Sequence, residues 1–266
     1  MLKPIRRIVT TNTAEGRSRI LSDGPSPHVL ETASHRGLID LWAMAEAGAA
    51  DRTAIRADHQ TAGKGRLDRR WEAPPGENLL LSLLFRAIPE DPATLVHAVA
   101  LAARRGCERL AGVEPALKWP NDLLGVDGSR KLAGILARSG PIVDGRPAFV
   151  IVGLGLNVNW APDDATSLSL ETRGRVVAVA DVCRAILLAL DDVLTWSPTR
   201  LHDEYTSSLG TIGREVRVTV NATETVEGRA LAVEADGRLV VLDRCGVTHR
   251  FAVGDVVHVR TTNFDS

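Results

Sequence analysis

The sequence is short of aromatic side chains, cysteine, excess charge of either sign and long apolar runs. Phe, Trp and Tyr make up 4% of 266 residues. The core must therefore be built from Val, Leu, Ile and Ala, and a nucleic-acid surface of stacked rings is disfavoured. The three cysteines, Cys107, Cys183 and Cys245, are far apart and show no CxxC spacing. That argues against a disulfide framework or a zinc site, and for a reducing, cytoplasmic setting. No stretch approaches the ~18 continuous apolar residues of a membrane span. The uncharged run from Pro147 to Pro162 is interrupted by Gly and Asn. Met1 to Thr10 contains no apolar segment and reads as neither signal peptide nor anchor. Lys and Arg number 32 against 33 Asp and Glu, a net charge of −1, so no global field draws the chain to nucleic acid or an anionic membrane. The seven histidines form no HxH or HExxH spacing, and there is no GxSxG. Neither a metal-ligand constellation nor a serine nucleophile is visible.

What is present is ordinary globular usage, 44% apolar and 24% charged, at a length that suggests about two domains. Arg6 to Thr10 is a candidate strand, Asp23 to Pro27 a turn, and Gly37 to Ala47 a short helix. No pair of amphipathic helices joined by a tight turn precedes residue 50, which speaks against a helix-turn-helix module. Thr53 to Ala57, Asn78 to Phe85, Leu117 to Trp119, Leu132 to Ala137 and Phe149 to Val158 read as strands. Asp91-Pro92 starts a helix running to about Leu110; Val179 to Leu194 and Ser197-Pro198 to about Gly210 are two more. After Gly213 come five short strands, with Asp236-Gly237 as a hairpin turn.

Four segments carry candidate chemistry. Gln60 to Arg66 is a glycine loop bearing Lys64 and Arg66, followed by Arg69, Arg70 and Trp71. Its free backbone N–H groups suit an anion, but it lacks Walker spacing, and a solvated surface turn has the same composition. Lys118-Trp119-Pro120-Asn121-Asp122 places a cation and two oxygen-bearing side chains at a strand end, which also describes a plain turn. Lys131 opens an apolar strand that contains Gly134. It is either a solvated edge lysine or a cation held against an anionic ligand. Gly153, Gly155 and Asn157 alternate onto one face of a strand. Glycine there serves close approach of a ligand or of another element. The spacing is not the dinucleotide GxGxxG.

Taken in order, HQTAGKGR-x₄-W, NLLLSLLF, KWPND, RKLAGIL and VGLGLNVN, followed by a C-terminal β module, resemble the biotin–protein ligase family over about Thr53 to Arg260. The resemblance implies an α+β fold: a mixed-sheet catalytic domain like that of class II aminoacyl-tRNA synthetases and lipoate ligases, then a small SH3-like β-barrel. The implied division is an atypical segment 1–50, a catalytic domain 51–210 and a barrel 211–266. The implied reaction joins biotin and ATP, with magnesium, into biotinyl-5′-AMP. Biotin then passes to a lysine of a biotin carboxyl carrier protein, as in acetyl-CoA carboxylase. A homodimer is compatible with it.

By the same resemblance, Lys131, Arg66 and Lys64 are the catalytic cations. Gln60, Gly63, Lys64, Gly65, Arg66, Lys131, Gly134 and Gly153 bind biotin, with Ser34 as the candidate in the ring pocket. Arg66, Trp71, Lys118, Asn121, Lys131 and Asn157 serve ATP. Asp122 faces the acceptor lysine, and Asn157 lies toward magnesium through the phosphates. Gly155 joins Gly134 and Gly153 in making room for the ligand. Three positions depart from the family pattern. Lys64 stands for an arginine, Asp68 for a small residue, and the stretch Glu31 to Arg36 offers Ser34 without the Thr and Asn that follow it in the family. The missing Thr and Asn keep open a non-catalytic ligand-binding homologue, and the shared scaffold keeps open a lipoate or octanoate ligase.

Overall fold

A computed structural model describes residues 6–12, 18–25, 45–60, 63–66, 69–220, 224–252 and 254–258. Strands β1 (Arg6–Asn12), β2 (Ser18–Pro25), β3 (Thr53–Ala57), β4 (Leu79–Phe85), β5 (Ala116–Lys118), β6 (Asp122–Leu124) and β7 (Lys131–Ser139) belong to one large sheet. A small hairpin of β8 (Ile142–Val143) and β9 (Arg146–Pro147) leads into β10 (Val150–Leu156), which completes it. The eight strands lie in the order β2-β1-β3-β4-β10-β7-β6-β5. The sheet is mixed: β1 and β3 are parallel and the other neighbours antiparallel. Helices α1 (Ala93–Ala111), α2 (Leu168–Glu171), α3 (Val179–Val193) and α4 (Pro198–Ser207) follow the strands in sequence or interleave with them. A second sheet of β11 (Glu215–Thr219), β12 (Thr225–Val233), β13 (Leu239–Asp243), β14 (Thr248–Phe251) and β15 (Asp255–His258) is antiparallel, in the order β14-β13-β12-β11-β15.

The central strands explain the rest. All seven residues of β4 are buried. Leu79, Leu81, Leu83 and Phe85 join the main core, together with Val150, Val152, Leu154 and Leu156 of β10. Helices α1 and α3 supply the other half of that core through Leu95, Val99, Ala102, Val182, Ile186 and Leu190. Each fully buried Leu or Val contributes roughly 1.5–3 kcal/mol. Strand alternation turns the intervening residues to the opposite face. There Ile55, Leu84, Phe149 and Ile151 form a second, smaller cluster with Ala45. The rest of that face, from Leu80 and Ser82 to Gly153 and Gly155, lines the cleft described below. The α1 helix ends where Gly112 takes a left-handed conformation at φ 68°. The α4 helix starts with the Ser197 side chain accepting from Arg200 N and Pro198 in the first turn.

The second sheet shares the main core. Val216, Val218, Leu239, Val241 and Val256 belong to the same cluster as the α1–sheet interior. Trp119 is the joint. Its side chain is 2% exposed, its Nε1 donates to Gly237 O at 2.9 Å, and its backbone N donates to Thr211 Oγ1 at 3.1 Å.

One local expectation changes. Asp23 and Gly24 lie inside β2, paired with Ile8 and Arg7, rather than in a turn. The strand is at the sheet edge and Pro25 is its last residue, the placement in which a sheet tolerates proline. The expected helix over 37–47 falls outside the described residues except for its last three, of which Ala45 and Glu46 are helical. Strand β6, the β8–β9 hairpin and α2 were not anticipated. Each has four residues or fewer, too short to show a period.

Two histidines are held neutral by the fold. His97 stacks on Tyr205, with ring centroids 3.8 Å apart. Burial, with His202 nearby, pushes its pKa to about 4. His258, 3.2 Å from Thr211 Oγ1, is pushed to about 4 by burial, then by Lys118 and Arg214. An unfolded histidine titrates near 6.5. Between those values the unfolded chain binds more protons than the folded one, so stability falls as pH falls through this window. The urea midpoint, followed by far-UV circular dichroism, is expected to drop between pH 7.5 and pH 5. The drop should be smaller in His97→Phe. A midpoint independent of pH would contradict this account.

Candidate functional site

The face of the large sheet turned away from α1 and α3 forms the floor of a cleft of about 580 Å³. Gly155 of β10 and Gly134 of β7 are register partners, so their missing Cβ atoms leave a flat bed across two strands. The Trp71 ring covers it. A Cβ on Gly155 would lie 2.5 Å from Trp71 Cε2, and one on Gly134 would lie 3.0 Å from Lys131 Nζ and 3.4 Å from Trp71 Cζ3. Close packing by Trp71 and Lys131 is thus the immediate reason for glycine at these positions. Trp71 Nε1 is buried without a hydrogen-bond partner among the described residues.

The glycine loop folds back on itself. Gly65 N donates to Arg69 O at 2.7 Å and Trp71 N to Gly63 O at 3.0 Å, with Lys64 and Arg70 bridged between them. A Cβ on Gly63 would lie 2.3 Å from Trp71 O, so this turn requires glycine. Two arginines tie the loop to its surroundings. Arg66 Nη1 is 3.2 Å from both Asn121 Oδ1 and Gly254 O. Arg69 forms an ion pair with Asp255 at the start of β15. Burial lowers the Arg66 pKa, and the nearby charges of Asp255 and Asp122 oppose the shift.

The Lys118–Asp122 segment is the tight connection between β5 and β6 and contains a cis Trp119–Pro120 bond. Asn121 pairs with β7 twice: its carbonyl accepts from Ile135 N, and its Nδ2 donates to Ile135 O, each at 2.8 Å. This fixes the neighbouring Asp122, whose Oδ1 is 2.7 Å from Lys131 Nζ. Lys131 Nζ also lies 5.7 Å from the Trp71 ring centre, within cation–π range. Asn157 sits deeper, 2% exposed. Its Oδ1 accepts from Asn78 Nδ2 at 3.1 Å and its Nδ2 donates to Thr166 O at 3.0 Å. Asn78 Oδ1 in turn accepts from Val158 N at 3.0 Å.

Of the residues singled out in the sequence, Gln60, Gly63, Lys64, Gly65, Arg66, Trp71, Asn121, Asp122, Lys131, Gly134, Gly153, Gly155 and Asn157 all line this one cleft. Lys118 is not on its wall. It is half-buried, its pKa lowered by burial despite the charges of Asp122 and Asp255. Ser34 and Asp68 lie outside the described residues. Asp255 was missed. It reaches the site across 186 positions of chain, and nothing in the local pattern around Gly254-Asp255 signals that. Among the described residues no group of three or more His, Cys, Asp or Glu could hold a metal ion.

The comparisons with known proteins agree with this arrangement. Residues 41–157 match the biotin/lipoate A/B protein ligase family, and residues 211–259 match the biotin protein ligase C-terminal domain. A biotin--[acetyl-CoA-carboxylase] ligase of Mycobacterium tuberculosis is 34% identical, over 92% of this chain and 94% of that protein. That match reaches beyond the stretch 53–260 that carries the motifs. The bifunctional ligase/repressor BirA of Bacillus subtilis is also 34% identical, over 77% of this chain and 66% of its own length. Among solved structures, a biotin protein ligase from Aquifex aeolicus in complex with biotin and ATP superposes with a TM-score of 0.70. It is 25% identical, over 87% of this chain and 97% of that one. Identity of this order across nearly the whole of two chains, with both family models in register along the sequence, makes this chain a member of the biotin–protein ligase family.

Proposed function

We propose that the chain activates biotin with ATP to biotinyl-5′-AMP and transfers biotin to a lysine of a carboxyl carrier domain. The observation that carries this reading is the convergence of Lys131, Arg66 and a Cβ-free bed on adjacent strands in one cleft. Joining a carboxylate to an α-phosphate brings two anions together, so the site must supply cations and aligned donors before the bond forms. Lys131 meets this need. Its ammonium is held on the cleft wall by Asp122, beside the Trp71 ring that packs on the glycines, where a carboxyl group and a phosphate can share it. Arg66 reaches the same wall from the loop. The partnerless Trp71 N–H favours an acceptor in the cleft, because a buried unsatisfied donor costs about 1–3 kcal/mol. In this reading Gln60 contacts biotin and Lys64 flanks the carboxyl end. Loop closure keeps water from the mixed anhydride. Asp122, ion-paired but on the cleft wall, faces the entering lysine.

We read Asn157 as a brace for the cleft floor, since its amide is committed on both sides. Of the four carboxylates on the cleft wall, Asp122, Asp255 and Glu72 are paired with cations. Asp164 makes no ion pair among the described residues and would be the protein oxygen ligand available to a magnesium ion brought by the ATP phosphates. The division into a catalytic unit over 51–210 and a barrel-like unit over 211–266, related to synthetase and SH3 architectures, is part of the same reading. So are a cytoplasmic setting and a carrier-protein partner. No helix among the described residues is long and apolar enough to cross a membrane.

Three outcomes are expected. Lys131→Ala should lower biotin-dependent pyrophosphate release by roughly 100-fold or more, with the circular dichroism spectrum kept. Release at the parental rate would refute the role of Lys131. Gly155→Ala should weaken biotin binding in calorimetry by at least about tenfold, because the new methyl must displace Trp71; unchanged affinity would place biotin elsewhere. Asp255→Ala should free Arg69, so that trypsin cuts between residues 64 and 70 several-fold faster than in the parent chain. An unaltered digestion rate would show that the ion pair does not hold the loop.

A further inference from the structure

Only four of the 32 basic residues are lysine: Lys3, Lys64, Lys118 and Lys131. The others are arginine, whose guanidinium stays charged and does not act as an acyl acceptor at neutral pH. Three of the four lysines therefore stand in or beside the cleft that handles an amine-reactive acyl adenylate. Lys131 is restrained by a carboxylate, its Nζ 2.7 Å from Asp122 Oδ1. Lys118 is half-buried and absent from the cleft wall. Lys64 differs. It is exposed, it lines the same cleft, and it makes no ion pair among the described residues. Its backbone is nevertheless fixed. The Lys64–Arg70 bridge lies between the Gly65–Arg69 and Gly63–Trp71 hydrogen bonds. In the ligase reading, an exposed amine on this hydrogen-bonded turn, on the wall of the cleft that forms the adenylate, enjoys a high effective concentration toward its acyl carbon.

We propose that Lys64 is a self-acylation site. This rests on the ligase reading above. The unprotonated Nζ attacks the acyl carbon of biotinyl-5′-AMP. The C–N bond forms and the acyl C–O bond to phosphate breaks. AMP leaves with the electron pair, and the surplus ammonium proton passes to water. The product is a biotinyl amide at the cleft mouth and the loss of one positive charge from the loop. The carrier lysine competes for the same adenylate, so self-acylation is greatest when carrier is scarce.

The test incubates the full chain with biotin, ATP and magnesium, without carrier, beside a bystander protein rich in exposed lysines. Pyrophosphate release is measured in the same sample, and both proteins are mapped by peptide mass spectrometry. The expected result is pyrophosphate release with one biotinyl group on Lys64. Labelling there should exceed that of an average bystander lysine by about 100-fold or more, and should be suppressed by added carrier domain. Pyrophosphate release without label on Lys64 would overturn the proposal and leave the ligase reading intact. So would label mainly on Lys3, Lys118, Lys131 or the N-terminus, or label spread equally onto the bystander. Absence of biotin-dependent pyrophosphate release would overturn the ligase reading and the proposal with it.

Discussion

The two-residue period of β4, β7 and β10 is the constraint on which the rest of the molecule depends. One sheet has to close a hydrophobic core with α1 and α3 and also present a ligand surface, and a strand can serve both only by alternation. In β10 the side chains of Val150, Val152, Leu154 and Leu156 enter the core, while Gly153 and Gly155 open the opposite face to the cleft. A register slip of one residue would put two glycines in the core and a row of large apolar side chains in the cleft. The buried face therefore sets the position of the reactive face. Stability and site geometry are one requirement here, and a polar network of Asn78, Asn157 and Thr166 secures the end of β10 where the pattern stops.

Electrostatics within the cleft follow from the same placement. Cations needed for an anionic reaction repel one another when nothing is bound, and the site answers with interleaved carboxylates. Asp122 meets Lys131, and Asp255 meets Arg69. Such pairs hold the side chains in defined positions without neutralising the whole site. In the proposed reaction this would be the preorganisation that makes fixed charges effective at a developing anion. The near-zero net charge of the chain thus conceals a local alternation of sign rather than an even distribution.

Much of this was legible in the sequence, and for identifiable reasons. The apolar runs 79–85 and 150–156 announce buried strands, and glycines at alternate positions announce a face where bulk is excluded. The residues gathered around the cleft come from motifs whose order marks a family. What could not be read depends on distance or shortness. Asp255 acts on a loop 186 positions away, so no local spacing records it. Strand β6 is three residues long and is defined by pairing with β5 and β7, not by its own composition. The glycines were legible as sites of close approach, but not the identity of the neighbours, Trp71 and Lys131, which arrive from other elements.

The C-terminal sheet is best understood as a wall of the site. Its interior shares one core with the catalytic sheet, and Trp119, inside the motif that carries Asn121 and Asp122, hydrogen-bonds to Gly237 at its far side. Two neighbours in the chain, Gly254 and Asp255, receive Arg66 and Arg69 from the glycine loop. A movement of this sheet would act on the loop through Gly254-Asp255 and on the Asn121-Asp122 hairpin through Trp119. Asp122 in turn positions Lys131. Both sets of charges around the cleft therefore depend on one packed interface. An isolated unit ending near residue 210 would lack the partners of Arg66 and Arg69 and would expose the Trp119 indole, so the two sheets are needed together for the closed cleft.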